Sequence, residues 1–224
     1  CEDIVTSDQT HTTNVRVITE ETEETALQGR VHMTDVDGMV TNVPGLVLAT
    51  FYADCVPLSL WIRYMGAVGL SHSGWRGTAG KIGAVTVEKM RETYGTRPED
   101  IYSAIGHPSV KECYEVSEDV IEEFKKSFQK KNWESLFYKK DNGKYQLDLW
   151  EANRIIMIEA GIQKSHISMP GICILPQSGI SFFSQSVKRK EGESGGVFVY
   201  KKTGEIDKHK KKRQLFGKTG SYRF

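Results

Sequence analysis

A cysteine and two histidines are the residues of this chain whose chemistry stands out, because they lie next to predicted β-strands. Cys55 follows the apolar run 46–52 and His72 follows the run 66–70, while His11 lies far upstream, before another predicted strand. Thiolate sulfur and imidazole nitrogen are ligands of zinc, and three such ligands with one open position are the arrangement of catalytic zinc sites. His11, Cys55 and His72 are therefore a candidate metal site.

The same residues allow two other interpretations. In one, His72 deprotonates Cys55, and the thiolate acts as the nucleophile of a cysteine hydrolase. In the other, Cys55 is a buried structural cysteine and the histidines are ordinary surface residues. Seventeen positions separate Cys55 from His72, which is no metal motif by itself, so the spacing leaves all three interpretations open.

Arg76 is a candidate phosphate-binding residue. It lies in the glycine-rich segment 73–80, directly before a helix predicted to begin near Lys81. A guanidinium group beside the free N–H groups of a helix N-terminus favours an anion such as phosphate. The alternative is that Trp75 packs into the core and Arg76 pairs with a surface carboxylate, and the sequence does not decide between them.

The elements that must position these residues predict an α/β fold with mixed β-sheet layers and helices packed on their faces. The run 46–52 is apolar nearly throughout, as expected for a strand covered on both faces. Asp37-Gly38 and Pro44-Gly45 are predicted turns. The predicted strands are 15–18, 46–52, 56–62, 66–70, 101–105, 145–147, 167–169 and 180–183, and the predicted helices are 81–94, one from Ser117 to Phe128, and 149–160.

Length and charge predict a single α/β catalytic domain over residues 1–187 and a basic, disordered tail over 188–224. The tail holds 12 Lys/Arg against 4 Asp/Glu, although the net charge of all 224 residues is only +1. Its basic run 208–213 has few aromatic neighbours and matches no nucleic-acid-binding motif, so we expect a solvated tail and no nucleic-acid partner. A partner-binding protein that works through this tail is the non-enzymatic alternative.

Composition also predicts the compartment. No run of about 18 apolar residues is present for a membrane span, and the first residues lack the layout of a secretory signal. Four cysteines lie far apart, which fits reduced thiols and a cytoplasmic protein without a membrane partner. Walker, GxGxxG and HExxH motifs are absent, which disfavours the enzyme classes that depend on them.

Several short motifs form a recognisable series along the chain. They are Gln9-Thr10-His11, Asp37-Gly38 with Thr41 and Pro44-Gly45, Ala53-Asp54-Cys55-Val56-Pro57, Ser71-His72-Ser73-Gly74-Trp75-Arg76-Gly77, Cys113-Tyr114-Glu115-Val116, Leu147-Asp148-Leu149 with Ala152-Asn153-Arg154, and Phe182-Phe183-Ser184. The pairing of an Ala-Asp-Cys motif with His-x-Gly-Trp-Arg-Gly is more specific than either motif alone. In this order the motifs resemble the YfiH-like laccase-domain family, first described as polyphenol oxidases and later as purine nucleoside phosphorylases.

The resemblance implies a fold like that of certain bacterial toxin cysteine hydrolases and a zinc ion held by His11, Cys55 and His72. It implies phosphorolysis of adenosine, inosine and methylthioadenosine, and hydrolytic deamination of adenosine. The expected small-molecule partners are therefore purine nucleosides and phosphate. Copper-dependent phenol oxidation is the older attribution.

This chain departs from the family pattern at three places. The usual Thr-x-Arg-x-Gly-Gly and Ser-Leu-Asn stretches are not found, so the substrate contacts they supply are expected to be missing. Thr12 follows His11 where the family usually has glycine. After Phe183-Ser184 the chain continues as Gln185-Ser186-Val187, without the family's paired arginines and Thr-Gly-Arg element.

Overall fold

The computed structural model describes residues 4–22, 31–44, 46–52, 54–62, 64–106, 114–169, 180–188 and 194–202, with the backbone alone for 31, 180–188 and 194–202. Cys113 of the family-like motif and the basic run 208–213 lie outside these ranges. None of the helices in the described ranges is both long and apolar enough to cross a bilayer.

The strands of the described ranges form sheets of five, six and three strands. Parallel and antiparallel pairs occur in the two larger sheets, which confirms the predicted mixed α/β architecture. The strands are β1 Ile4–Ser7, β2 Val15–Ile18, β3 Val31–Met33, β4 Gly38–Thr41, β5 Val47–Tyr52, β6 Val56–Trp61, β7 Val68–Ser73, β8 Tyr102–Ile105, β9 Glu115–Val116, β10 Phe137–Lys139, β11 Tyr145–Leu147, β12 Ile167–Ser168, β13 Ile180–Lys188 and β14 Ser194–Lys202. The five-stranded sheet has the order β13-β14-β5-β1-β3, the six-stranded sheet β12-β8-β6-β7-β4-β2, and the small sheet β10-β11-β9.

The three longer helices lie where the apolar periodicity predicted them. The first ends at Gly95, whose left-handed backbone (φ 64°) supplies the expected stop. The last begins after Asp148, whose carboxylate accepts hydrogen bonds from the N–H groups of Trp150 and Glu151. The helices are α1 Trp75–Ala79, α2 Ile82–Tyr94, α3 Glu118–Ser127, α4 Trp133–Leu136 and α5 Leu149–Glu159, with 3₁₀ turns at Pro98–Asp100, Lys130–Asn132 and Lys164–His166.

The six-stranded sheet is the middle layer, because neighbouring residues of its strands enter two different apolar clusters. Val40 packs with Leu58, Leu60 and the apolar faces of α2 and α5. Met39 instead packs with residues such as Leu48 of the five-stranded sheet. This alternation is the period-two pattern of a strand. Helices therefore cover one face of the middle sheet, and a second sheet covers the other.

The structure differs from two of the local predictions. The chain bends before Asp37-Gly38, between β3 and β4, but Gly38 itself begins β4 and pairs with Val15 and Ser71 on neighbouring strands. A Cβ at this glycine would come within 2.7 Å of Ser71 Oγ, so the glycine serves close packing of the sheet. The segment 73–80 is also more regular than expected, since it contains helix α1.

The end of the described chain differs from the predicted tail. Strand β14 lies within the range 188–224 that sequence analysis assigned to the tail, and it pairs antiparallel with both β13 and β5. A domain boundary at residue 187 stays a prediction, but residues 194–202 form part of the five-stranded sheet. Sequence analysis missed this strand because its apolar stretch Val197–Tyr200 is short and is flanked by basic residues.

Candidate metal centre

Three separate segments bring His11, Cys55 and His72 together. His11 lies in the loop between β1 and β2, and Cys55 lies in the turn that precedes β6. Strands β6 and β7 are antiparallel partners, with Val56 opposite Ser73, so the residue before β6 lies beside the end of β7. His72 belongs to β7 itself, and the strand ends one residue later than His72.

One possible ligand atom from each of the three residues lies within 4.8 Å of the other two. The Sγ atom of Cys55 is 3.8 Å from His11 Nε2. The imidazole rings of His11 and His72 meet edge to face, with centroids 5.0 Å apart. Cys55 and His72 are buried, whereas His11 is exposed, so the cluster is open to solvent on the His11 side.

A buried carboxylate adjoins this cluster. Asp37 is fully buried, and its Oδ1 lies 2.8 Å from His72 Nδ1. Burial opposes ionisation of Asp37, but hydrogen bonds from His72 and Thr12 outweigh it and lower the pKa of the carboxyl. An ionised carboxylate only accepts hydrogen bonds, so Nδ1 of His72 carries the proton and Nε2 remains as the possible ligand nitrogen.

Asp37 also binds the loop that carries His11. Its Oδ1 accepts from the His11 N–H, and its Oδ2 accepts from the N–H groups of Thr10 and Thr12 and from the Thr12 hydroxyl. His11 has a left-handed backbone, with φ 64°. Sequence analysis missed this role because Asp37-Gly38 has the composition of a turn. The motif resemblance, which included Asp37, was the only signal that pointed to the residue.

The surroundings change the acidity of two candidate ligands. Burial, followed by the nearby Asp54 carboxylate, raises the pKa of the Cys55 thiol to about 12. Burial also lowers the pKa of His11, and repulsion from His72 adds to the effect. His11 is therefore neutral at neutral pH, as a ligand must be, whereas Cys55 needs a cation beside it to lose its proton there.

Gly74 forms one wall of the cluster. A Cβ at this position would lie 2.9 Å from Cys55 Sγ and 2.9 Å from His11 Cδ2. Its backbone approaches the ligands more closely than the backbone of any other residue type allows. The glycine that precedes Trp75 is thus required by the site itself.

Arg76 lies inside the five-residue helix α1. It does not lie in an open loop before a helix that begins near Lys81, as sequence analysis predicted. Its guanidinium is exposed and stacks on Trp75, with Cζ 4.4 Å from the ring centroid. Arg76 has no carboxylate partner within the described ranges, in contrast to the surface ion pair considered above. Its charge acts on both His11 and Tyr114, which places it beside the cluster.

The donor types and the separation of one donor pair fit a tetrahedral zinc ion. Zinc–nitrogen bonds of about 2.0–2.1 Å and zinc–sulfur bonds of about 2.3 Å require donor atoms about 3.4–3.6 Å apart. The observed Sγ–Nε2 separation of 3.8 Å needs only a small adjustment to meet this. Two imidazoles and one thiol are also the donor set that zinc accepts at a site with one open position.

The fold and the site define this protein as a mixed α/β protein with a candidate His–Cys–His metal site at the end of a sheet. Residues 1–200 match the family described as multi-copper polyphenol oxidoreductase laccase. The chain belongs to this family, which is the YfiH-like family that the motifs resemble.

The relatives of this chain include enzymes of purine nucleoside metabolism. It is 32% identical to the purine nucleoside phosphorylase of Bacteroides thetaiotaomicron over 89% of this chain and 74% of that protein. It is 35% identical to adenosine deaminase RL5 from an unknown prokaryotic organism, over 90% and 76% of the two chains. The crystal structure of YfiH from Bacillus licheniformis is similar, with a TM-score of 0.71, 31% identity, and coverage of 89% and 73%. These names support an enzymatic role.

Proposed function

We propose that this chain acts as a zinc-dependent purine nucleoside phosphorylase on adenosine, inosine and methylthioadenosine. The observation that carries the proposal is the convergence of His11, Cys55 and His72 within 4.8 Å of one another, open to solvent at His11. Relatives named purine nucleoside phosphorylase support the reaction class.

The three clustered residues are the proposed metal ligands. A zinc ion held there supplies a Lewis acid that polarises an oxygen atom of water or substrate. Cys55 and His72 would hold it from the buried side, and His11 from the side that is open to solvent. Burial of Cys55 and His72 reduces screening by water, which strengthens any electrostatic contact made in the site.

Arg76 is the proposed phosphate-binding residue. Its guanidinium is exposed beside the cluster, and stacking on Trp75 restricts its position. In phosphorolysis a phosphate oxygen bonds to C1′ of the ribose, the bond from C1′ to the base nitrogen breaks, and the base leaves with the electron pair and takes up a proton. Holding phosphate next to the nucleoside supplies the orientation that this two-substrate reaction needs.

Hydrolytic deamination of adenosine is a second proposed activity of the same site. One relative is named an adenosine deaminase. In this reaction water adds to the purine C6 and ammonia leaves, which gives inosine. The two reactions share the purine and differ in whether water or phosphate is the second substrate.

A thiol hydrolase built on Cys55 and His72 is the rival enzyme. The structure disfavours it because burial raises the pKa of Cys55 to about 12, so little thiolate forms without a cation. Copper-dependent polyphenol oxidation is a second rival, and the description of the matched family favours it. Within the described ranges, however, only one cluster of three donors is found, whereas a multi-copper relay needs more.

The test is the release of base from inosine. We expect the zinc-loaded protein to convert inosine and phosphate to hypoxanthine and ribose 1-phosphate, with activity lost on chelation and restored by zinc. His72→Ala should lose stoichiometric zinc and activity, whereas His32→Ala, an exposed histidine paired with Asp8, should retain both.

Three outcomes would contradict the proposal. An active-site zinc content unchanged in His72→Ala would contradict the ligand assignment. Activity that survives chelation but is lost on alkylation would support the thiol hydrolase. A metal-loaded preparation that releases no base would exclude phosphorolysis.

A further inference from the structure

The side chain of Asp37 connects the two histidines of the proposed metal centre. Five hydrogen bonds reach this one carboxylate, from His72 Nδ1, from the N–H groups of residues 10, 11 and 12, and from the Thr12 hydroxyl. Asp37 is 0% exposed, so none of these bonds is exchanged for water. A buried carboxylate is tolerated only with such partners.

The three consecutive N–H groups form an anion-binding concavity around Asp37. Successive backbone N–H groups that include a left-handed residue make such a nest, and His11 is that residue, with φ 64°. The carboxylate therefore holds the loop in the conformation that directs the His11 ring toward Cys55. Thr12, at the position where the family resemblance expects glycine, adds its hydroxyl as a further donor.

The same carboxylate fixes the ring of His72. Its contact with Nδ1 selects the tautomer in which Nε2 has no proton and can bind a metal. The backbone of β7 is attached separately, because the His72 N–H donates to the Asp37 carbonyl oxygen at 2.7 Å. A change confined to the Asp37 side chain thus leaves the main-chain attachment in place.

We propose that Asp37 is a positioning residue that builds the metal centre, by holding the His72 ring and the His11 loop at the same time. This inference rests on the proposed metal site and concerns a residue that is not itself a ligand. Loss of the carboxylate would release a ligand histidine on each of two chain segments.

Asp37→Asn is the informative substitution because it preserves size. Oδ1 accepts from two donors and Oδ2 from three, so an amide NH₂ in either orientation faces at least two N–H donors. The conflict with the backbone N–H groups is relieved only if the loop opens, and a conflict with His72 only if its ring changes tautomer, which places a proton on Nε2. Either response weakens the site.

The experiment compares the full chain with its Asp37→Asn and Asp35→Asn variants. Asp35 is exposed, binds the same loop through Thr10 and Asn14, and does not contact a histidine, so it is the matched control. Zinc affinity is measured by competition with a chromophoric chelator, and the ligand set by the thiolate charge-transfer band of the cobalt-substituted protein. Nitrogen-15 spectra of the metal-free protein report the His72 tautomer.

We expect Asp37→Asn to bind zinc about 10- to 100-fold more weakly, which is the effect typical of losing a hydrogen-bond partner of a ligand histidine. The cobalt spectrum and the His72 tautomer should change with it, while Asp35→Asn behaves as wild type. If Asp37→Asn does not fold, Thr12→Val removes one of the five donors and should give a smaller loss of zinc affinity.

Two results overturn the inference in distinguishable ways. If wild type binds metal and Asp37→Asn has unchanged zinc affinity and an unchanged cobalt spectrum, this inference alone is contradicted. Where Asp37→Asn does not fold, the same result for Thr12→Val has the same meaning. Wild type that binds neither zinc nor cobalt would contradict the proposed metal centre as well.

Discussion

At the scale of single residues, the distances around Gly74 show how little space the proposed centre leaves. Its hydrogen-only side chain allows the backbone to approach both Cys55 and His11. Gly77, three residues later, has a different setting, since a Cβ there would make ordinary contacts, the nearest at 3.4 Å from the His72 carbonyl oxygen. A side chain at Gly74 would therefore collide with Cys55 and His11, whereas Gly77 has room for a methyl group.

We predict that Gly74→Ala impairs the site far more than Gly77→Ala. The new methyl carbon must displace Cys55 or His11, and a misplacement of about 1 Å at a reacting centre can reduce the rate about 100-fold. Base release from inosine and zinc affinity are measured for both variants, with circular dichroism to confirm folding. Equal effects of the two substitutions would show that Gly74 has no special part in the site.

At the scale of elements, the small sheet β10-β11-β9 lies next to the site through Tyr114, the residue before β9. The Tyr114 carbonyl oxygen accepts hydrogen bonds from Leu147 N–H and from the Gln146 side chain. Burial raises the pKa of the Tyr114 phenol, and the neighbouring Cys55 contributes. A less stable small sheet would therefore disturb the position of Tyr114 beside Cys55.

Glu115 of β9 makes the stability of this sheet depend on pH. Lys140, Asn142 and Lys144 bind its carboxylate and lower its pKa from 4.5 to about 2. A lowered pKa in the folded state stabilises the protein above the unfolded value, and the contribution disappears as the pH falls through the folded value.

We therefore predict that the difference in unfolding free energy between wild type and Glu115→Gln is constant above about pH 5 and shrinks between about pH 4.5 and 2. Glu134→Gln is the control, because Glu134 makes no ion pair among the residues that the structure describes. Urea unfolding at a series of pH values measures the difference. A difference independent of pH over this range would mean that the Glu115 pairs do not stabilise the sheet.

At the scale of the whole molecule, strand β14 supports the segment that leads into the site. It lies between β13 and β5, and β5 ends at Tyr52, three residues before Cys55. A cut after Lys188, close to the predicted start of the tail, would remove this strand and leave β5 paired only with β1. A cut after Lys202 keeps every described strand.

We predict that the chain shortened after Lys188 has a Tm lower by at least about 5 °C and binds less zinc, since a chain of this size loses roughly 2–4 °C per kcal/mol. The chain shortened after Lys202 should retain base release. Thermal unfolding and zinc content of the two shortened chains test this. If the chain that ends at Lys188 still releases base and has an unchanged Tm, β14 does not support the site.

The chain that ends at Lys202 also tests the non-enzymatic alternative, because it lacks the basic run 208–213. If this cut abolishes a steeply salt-dependent binding of nucleic acid, the alternative of a binding tail gains support.

Sequence alone predicted the mixed α/β class and the three longer helices. It could do so because apolar periodicity records which face of an element is buried, and that information is local. Through the motif resemblance the sequence also identified His11, Cys55 and His72 as candidate ligands. The hairpin of β6 and β7 was also predictable, because two apolar runs separated by a short turn pair with each other.

Only the tertiary structure decided the hydrogen bonds of Asp37, the closeness of Gly74 to Cys55 and His11, and the pairing of β14 with β5. In each case the partners come from distant parts of the chain, so no local pattern encodes the contact. An aspartate before a glycine looks the same in a surface turn and in a buried strand entrance. What distinguishes them is the set of donors from residues 10–12 and 72, which meet at one carboxylate only after the sheets have formed.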